Sequence, residues 1–150
     1  MILHIFAILV LGLMCGSELN VGAFAHPTLN SQTLDVHVPV RAALAKLLGR
    51  VMPFWMASST LLNLALLFPF VGLNRTAWSF AAIAFVIQVF AVLFSVLFPV
   101  PINNRIMLWT PPTLPKDWSA QERRWDSFHS SRTFGLIASF ALLTLSLAVH

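Results

Sequence analysis

Trp118-Ser-Ala-Gln-Glu122-Arg-Arg-Trp125-Asp-Ser-Phe-His129-Ser-Ser-Arg132 runs straight into the last hydrophobic segment of the chain. Trp118, Glu122, Trp125, His129 and Arg132 are spaced 4, 3, 4 and 3 residues apart. On an α-helix that spacing draws one continuous stripe. The stripe carries two indoles, a carboxylate, an imidazole and a guanidinium, after which the helix turns apolar. A polar stripe at the mouth of a membrane helix decides how the rest of the chain is read.

The composition supports a membrane setting. Of 150 residues, 58% are hydrophobic and 9% charged, and the mean hydropathy is +0.83. A soluble domain carries about a quarter charged residues, and a soluble fold this apolar would expose large sticky patches. The length fits a single integral membrane domain over 1–150. The formal charge of +4 comes without a clustered basic face, which excludes nucleic acid as a partner. Cys15 is the one cysteine and forms no internal disulfide.

Residues 2–25 make the first apolar segment, and about 20 such residues span a bilayer. A signal peptide is the rival reading, but no basic stretch precedes the apolar run. His26-Pro27 is expected to end the helix, because proline disfavours helical geometry in the residue before it. A polar loop over 27–38 follows, then a short interfacial helix over 39–50 with Arg41, Lys46 and Arg50. Spans over 51–70 and 77–99 come next, joined by a tight turn at 71–76. Pro99 to Arg105 is expected to break the third helix, and 109–115 is too proline-rich for regular structure. An amphipathic piece from Trp118 leads into a fourth span over 133–149. The predicted fold is all-α, a four-transmembrane-helix bundle with short interfacial helices before helices two and four.

Basic residues set the orientation. Arg41, Lys46, Arg50, Arg105, Lys116, Arg123, Arg124 and Arg132 lie in or beside the first and third connections, and Arg75 stands alone opposite. The positive-inside rule makes those two connections cytoplasmic. Both termini then lie on the outer, periplasmic side of a bacterial inner membrane.

This topology gathers Glu18, Asn20, His26, Asn103, Asn104, Arg105, Trp125, His129 and Arg132 at one membrane face. The opposite half of the bundle is expected to be almost wholly apolar. Glu18, Gly22 and His26 are four residues apart and run along one side of the first helix, with Gly22 leaving room between the other two. Ionisable residues inside a membrane are costly, and a functional site is their default reading. The expected partner of Glu18 is Arg132 or His129. Each residue also has a structural reading. Glu18 with Arg132 is then a register-fixing ion pair, His129 an interfacial side chain, His26 a helix terminator, and Asn103 and Asn104 caps of a broken helix. Trp109 and Trp118 read as interface-belt indoles, with Trp118 and Glu122 at the surface. Arg105, Arg123 and Arg124 read as topology determinants, while His4, Asn30, His37 and His150 carry no functional claim. Glu18, His26, His37 and His129 are conceivable metal ligands, but none shows the tight spacing of a zinc or di-iron helix motif. No metal site and no cofactor is predicted, with metal or haem as the lesser alternative.

A buried acid ahead of small residues, then Pro101-x-Asn103-Asn104, then Trp118 and Trp125-x-x-x-His129-x-x-Arg132 resembles the small four-helix membrane family that includes the fungal anthrone oxygenases. The resemblance covers essentially the whole chain. It implies oxygenation of an activated aromatic, such as anthrone to anthraquinone, with no metal or flavin required. The matching positions are Glu18, Asn103, Asn104, Trp125, His129 and Arg132. The expected chemistry is proton removal to give an electron-rich enolate that meets oxygen directly. His129 is assigned as general base, and Arg132 and Asn104 as stabilisers of the enolate oxygen. Glu18 orients or charge-balances His129, Trp125 stacks on the substrate, and Asn103 and His26 complete the binding residues. The chain has no tyrosine, so any radical step falls to tryptophan.

The expected function is therefore a membrane-embedded oxygenase-like protein acting on a lipophilic aromatic or quinone-type substrate at the cytoplasmic end of the bundle. Its partners are a lipophilic small molecule and membrane lipid, with a homo-oligomer or a partner subunit as further options. The alternatives are a non-catalytic lipid, quinone or metal-binding membrane protein, or an accessory subunit of a membrane complex. The orientation is checked with C-terminal reporter fusions: alkaline phosphatase, active only outside the cytoplasm, is expected to be active. Activity of only a cytoplasm-specific reporter would reverse the topology.

Overall fold

The computed structural model describes all 150 residues. It is all-α, with α1 over Ile2–Asn20, α2 over His26–Asn30, α3 over Leu34–Leu66, α4 over Arg75–Leu97, α5 over Pro99–Ile106 and α6 over Trp118–Ala148. Of the long helices, α1 packs on α3 and α6, and α4 packs on α3 and α6. Three stretches are long and apolar enough to cross a membrane: Ile2–Asn30, Arg75–Leu97 and Trp118–Ala148. The expected second span is the exception. Helix α3 carries Asp35, Arg41, Lys46 and Arg50 in its first half, and its apolar part over 51–66 reaches only about 24 Å at 1.5 Å per residue.

Several expected boundaries move, each for a local reason. The first helix does not end at His26-Pro27. A π-helical turn over Val21–Ala25, closed by His26 N–H donating to the Val21 carbonyl, carries the chain into α2. Pro27 follows inside a helix that is continuous from Ile2 to Asn30 and deletes one main-chain bond there. The expected loop over 27–38 shrinks to a turn at 31–33, and Asp35 and His37 lie inside α3. No separate interfacial helix precedes the second or fourth long helix. Pro39 and Pro53 lie within α3, each deleting one main-chain bond while the helix continues, and α6 runs unbroken from Trp118. Residues 99–106, expected as an opened connection, form α5 with its prolines in the first turn. Asn74 caps α4 by accepting from Ala77 N at 2.9 Å, which fixes the tight turn before it.

In lipid, helices gain little from hydrophobicity alone, so small residues that permit close approach decide packing. Helix α4 shows this plainly. Its buried face is Ala77, Ala81, Ala84, Gln88, Ala91 and Ser95, and against it lie Leu136, Ser139, Leu143 and Ser146 of α6. At its centre Gln88 Nε2 donates to Ser139 Oγ at 2.9 Å, and Ser59 Oγ donates to Gln88 Oε1 at 3.4 Å. Asn63, with its amide turned to suit its neighbours, accepts from Gln88 Nε2 and Phe85 N at 3.0 Å each. This ladder ties α3, α4 and α6 together.

The half away from the polar face is also less apolar than expected. His4 is buried, with Nε2 3.2 Å from the Leu143 carbonyl, and Ser146 Oγ donates to the Ala77 carbonyl at 2.7 Å. Replacing Gln88 by Ala strands the Ser139 and Asn63 groups, and the expected loss is on the order of 1–2 kcal/mol. Reversible unfolding in mixed micelles measures it; an unchanged midpoint would mean that the ladder contributes nothing.

Candidate functional site

The site forms where α1 finishes, α6 begins and α5 leaves α4. Glu18 of α1 is 1% exposed, and an isolated carboxylate there would be prohibitive. Two groups of α6 meet it, and Arg132 carries the compensating charge. Arg132 Nη2 donates to Glu18 Oε2, and His129 Nδ1 stands 3.1 Å from the same oxygen. The expected partners of Glu18 are thus both present. Arg132 is held from behind, with Nη1 donating to Ser95 Oγ at 3.1 Å.

The tautomer of His129 follows from its neighbours. Its Nε2 lies 2.9 Å from the main-chain carbonyl of Glu18, and because a carbonyl only accepts, Nε2 carries a proton and donates. Nδ1 is then an acceptor, 3.3 Å from Arg132 Nη2, which donates beside Glu18 Oε2. Both ring nitrogens are therefore turned toward Glu18 and neither is free. The carboxylate oxygen of this triad that has no partner is Glu18 Oε1. The close approach of imidazole to α1 requires Gly22. A Cβ there would lie 3.2 Å from His129 Cδ2 and 3.3 Å from Nε2.

A cavity of about 210 Å³ opens onto the triad. Glu18, His129 and Arg132 form its polar end together with Trp125 and Ser95. Met52, Met56, Val92 and Pro99 line its apolar walls. Its rim is built from two matched rows at four-residue spacing, Gly49, Pro53 and Ala57 on α3 and Val96, Val100 and Asn104 on α4 and α5. All six rim residues are exposed. The cavity is therefore open on the side where α3 faces α4 and α5, past a mostly apolar edge.

The other candidate residues are dispersed around this cavity. Asn103 lines it and donates through Nδ2 to the Ala45 carbonyl at 3.0 Å. Trp125 is buried, and its indole stacks on His129 at 4.7 Å between centroids and 12° between planes. That face is occupied by an imidazole, so a stacked substrate would have to displace it. His26 does not enter the large cavity. Its Nδ1 lies 3.0 Å from Asp126 Oδ1, and its ring is 4.9 Å from Trp125 and 6.1 Å from His129. Arg105, Arg123 and Arg124 are exposed. No three His, Cys, Asp or Glu side chains converge in a way that suits a metal ion.

Five residues depart from their expected settings. Glu122 is not at the surface: it is 5% exposed and accepts from His37 Nε2 at 2.7 Å. Trp118 is half-buried, edge-on to the His37 ring at 5.7 Å, and Trp109 is buried against Ile102 and Ile106 in a second core cluster. His37, given no role from the sequence, bridges Glu122 and the Leu29 carbonyl, 2.9 Å from its Nδ1. Arg41, read as a topology determinant, is 2% exposed. Its Nη2 donates to Asp126 Oδ1 at 2.9 Å, its Nε lies 3.7 Å from Glu122 Oε1, and its guanidinium sits 4.9 Å from the Trp125 ring centroid. The signal was available in the spacing. His37 and Arg41 are four apart, as are Glu122 and Asp126, so two facing helices carry complementary pairs.

A family model described as anthrone oxygenase matches residues 33–142. The chain belongs to the anthrone oxygenase family. The match is narrower than the whole-chain resemblance. It spans α3 to most of α6 and holds Arg41, Asn103, Asn104, Trp125, His129 and Arg132, while Glu18 and His26 of the N-terminal helices lie outside it. No curated protein and no solved structure matches the chain. By family, and by helices compatible with a membrane, this anthrone oxygenase family member is an oxygenase-like membrane protein.

The triad makes a sharp energetic prediction. Arg132→Met leaves the Glu18 carboxylate buried without its cation and is expected to cost about 3–5 kcal/mol. Adding Glu18→Gln should recover much of that loss. Unfolding of the detergent-solubilised single and double variants measures the coupling, and strictly additive losses would show that the two side chains do not interact.

Proposed function

We propose that the chain is a four-span membrane-embedded oxygenase, with α3 as the fourth span. It takes a lipophilic aromatic or quinone-type substrate from the bilayer into the cavity beside Glu18, His129 and Arg132. The observation that carries this reading is the coincidence, in an anthrone oxygenase family member, of a cavity open past a mostly apolar edge and a buried acid–imidazole–guanidinium triad at its inner end. Pockets with apolar walls and a few converging polar groups are the usual anatomy of small-molecule sites.

With anthrone as the model substrate, the ring methylene loses a proton to the Glu18–His129 pair. The proton enters at Glu18 Oε1, the carboxylate oxygen without a partner. The resulting enolate is electron-rich and is the reductant of dioxygen. One anthrone and one O₂ give one anthraquinone and one water, so electrons balance without a further donor and the reading calls for no cofactor. Arg132 stabilises the enolate oxygen, and in a dry site such a charge-assisted bond is strong. His129 becomes the group behind Glu18, holding it and sharing its proton, and Asn103 and Asn104 border the ligand. The site lies at the cytoplasmic end in the orientation derived from the basic residues. A membrane protein that binds lipid or quinone without turnover is the competing reading.

Purified protein given anthrone in detergent is expected to consume oxygen and form anthraquinone one for one, above the spontaneous rate. Glu18→Gln, and His129→Ala beside it, should each lower kcat by about 10²-fold or more, the contribution of a positioned base. Wild-type rates in Glu18→Gln would remove the base assignment. Tight binding of anthraquinone with no turnover by the wild type would favour the binding protein.

A further inference from the structure

The Trp125 indole and the Arg41 guanidinium are left idle by the roles above, and each holds a donor without a partner. Trp125 Nε1 and Arg41 Nη1 are both fully enclosed and unbonded, in residues 8% and 2% exposed. Buried donors are nearly always paired, so two of them on adjoining side chains point to something that accepts. Both side chains line a second cavity of about 10 Å³, with His26 and Asn103 among its other walls. That volume is about one probe sphere, enough for a single oxygen atom or a water. Leu48, Asn103 and Trp125 line both cavities, so the small one adjoins the large one.

The donors are also held in place. Arg41 is fixed by Asp126 and Glu122 and lies against the indole, while the indole is stacked on His129. Fixed donors in a water-poor site need no reorganisation when a ligand arrives. We propose that Trp125 Nε1–H and Arg41 Nη1–H form an acceptor subsite that takes one carbonyl or phenolate oxygen of a ring seated in the large cavity. Two N–H donors select an acceptor. A one-atom volume excludes carboxylate and phosphate. The adjoining apolar cavity requires the oxygen to be carried on a lipophilic ring. The subsite rests on the aromatic reading above and adds to it a place for a second ring oxygen, besides the one assigned to Arg132. Trp125 is then a binding residue through its N–H and not through its face.

9,10-Anthraquinone and anthracene share a ring skeleton and differ in two carbonyl oxygens. Both are titrated into the full-length protein in detergent. Trp125→Phe keeps an aromatic ring against His129 and removes the donor. It is expected to weaken anthraquinone binding about five- to tenfold, the size of one lost hydrogen bond, and to leave anthracene within about twofold. A second measurement needs no variant fold: in wild-type protein with ¹⁵N-labelled indoles, anthraquinone should move the Trp125 indole proton downfield and anthracene should not. Unchanged anthraquinone affinity in Trp125→Phe, or no downfield shift in the wild type, overturns the subsite while leaving the aromatic pocket standing. A wild type that binds neither compound overturns the pocket reading and the subsite with it.

Discussion

A carboxylate taken out of water among apolar helices must be answered, and in this protein the answer organises three helices. Glu18 draws Arg132 and His129 of α6 onto α1, and Arg132 in turn reaches Ser95 of α4. The effective penalty for burying an ion is several kcal/mol even after relaxation. The partners therefore cannot drift. Gly22 opposite His129 and the alanine face of α4 opposite α6 are the steric conditions for that geometry. The cavity exists because these groups are gathered at its inner end while Gly49, Pro53 and Ala57 leave its outer side low.

A second charged layer lies next to the first. His37, Glu122, Arg41, Asp126 and His26 tie α2, α3 and the first turns of α6 into one polar block. Trp125 connects the two layers, with His129 stacked on its ring and Arg41 beside it. This block explains why α3 and α6 begin so far ahead of their apolar parts. The extended first halves are not interfacial ornaments; they carry the acids and bases that close one end of the assembly.

The site was more legible in the sequence than the helix boundaries were. The 4-3-4-3 spacing from Trp118 to Arg132 is a property of one helix, and it placed Trp125 and His129 on the buried face, with Arg132 beside them reaching Glu18. Glu18 stood out because an acid in an apolar run is too costly to stay there without a partner. Glu122 and Arg41 were misread because each alone looks like an ordinary interfacial charge, and only the crossing of α3 and α6 neutralises them. The prolines misled for a related reason. Pro27, Pro39 and Pro53 are locally helix-breaking, yet each is itself exposed and the buried residues flanking it keep the chain helical. The π-turn left no signal in composition at all.

That turn has a consequence for phase. From Glu18 to His26 is eight residues, and in an uninterrupted α-helix the second would be rotated by about 80° from the first. The wider turn at Val21–Ala25 absorbs about one residue's worth of rotation, so the eight steps behave as seven and the misalignment falls to about 20°. Glu18 and His26 can then both be buried against α6, one toward each charged layer. Pro27 follows immediately and has no N–H with which to pass the extra residue further along the helix. The slack is locked between the two ionisable groups, and the angle between them is a property of the main chain before any side chain is chosen.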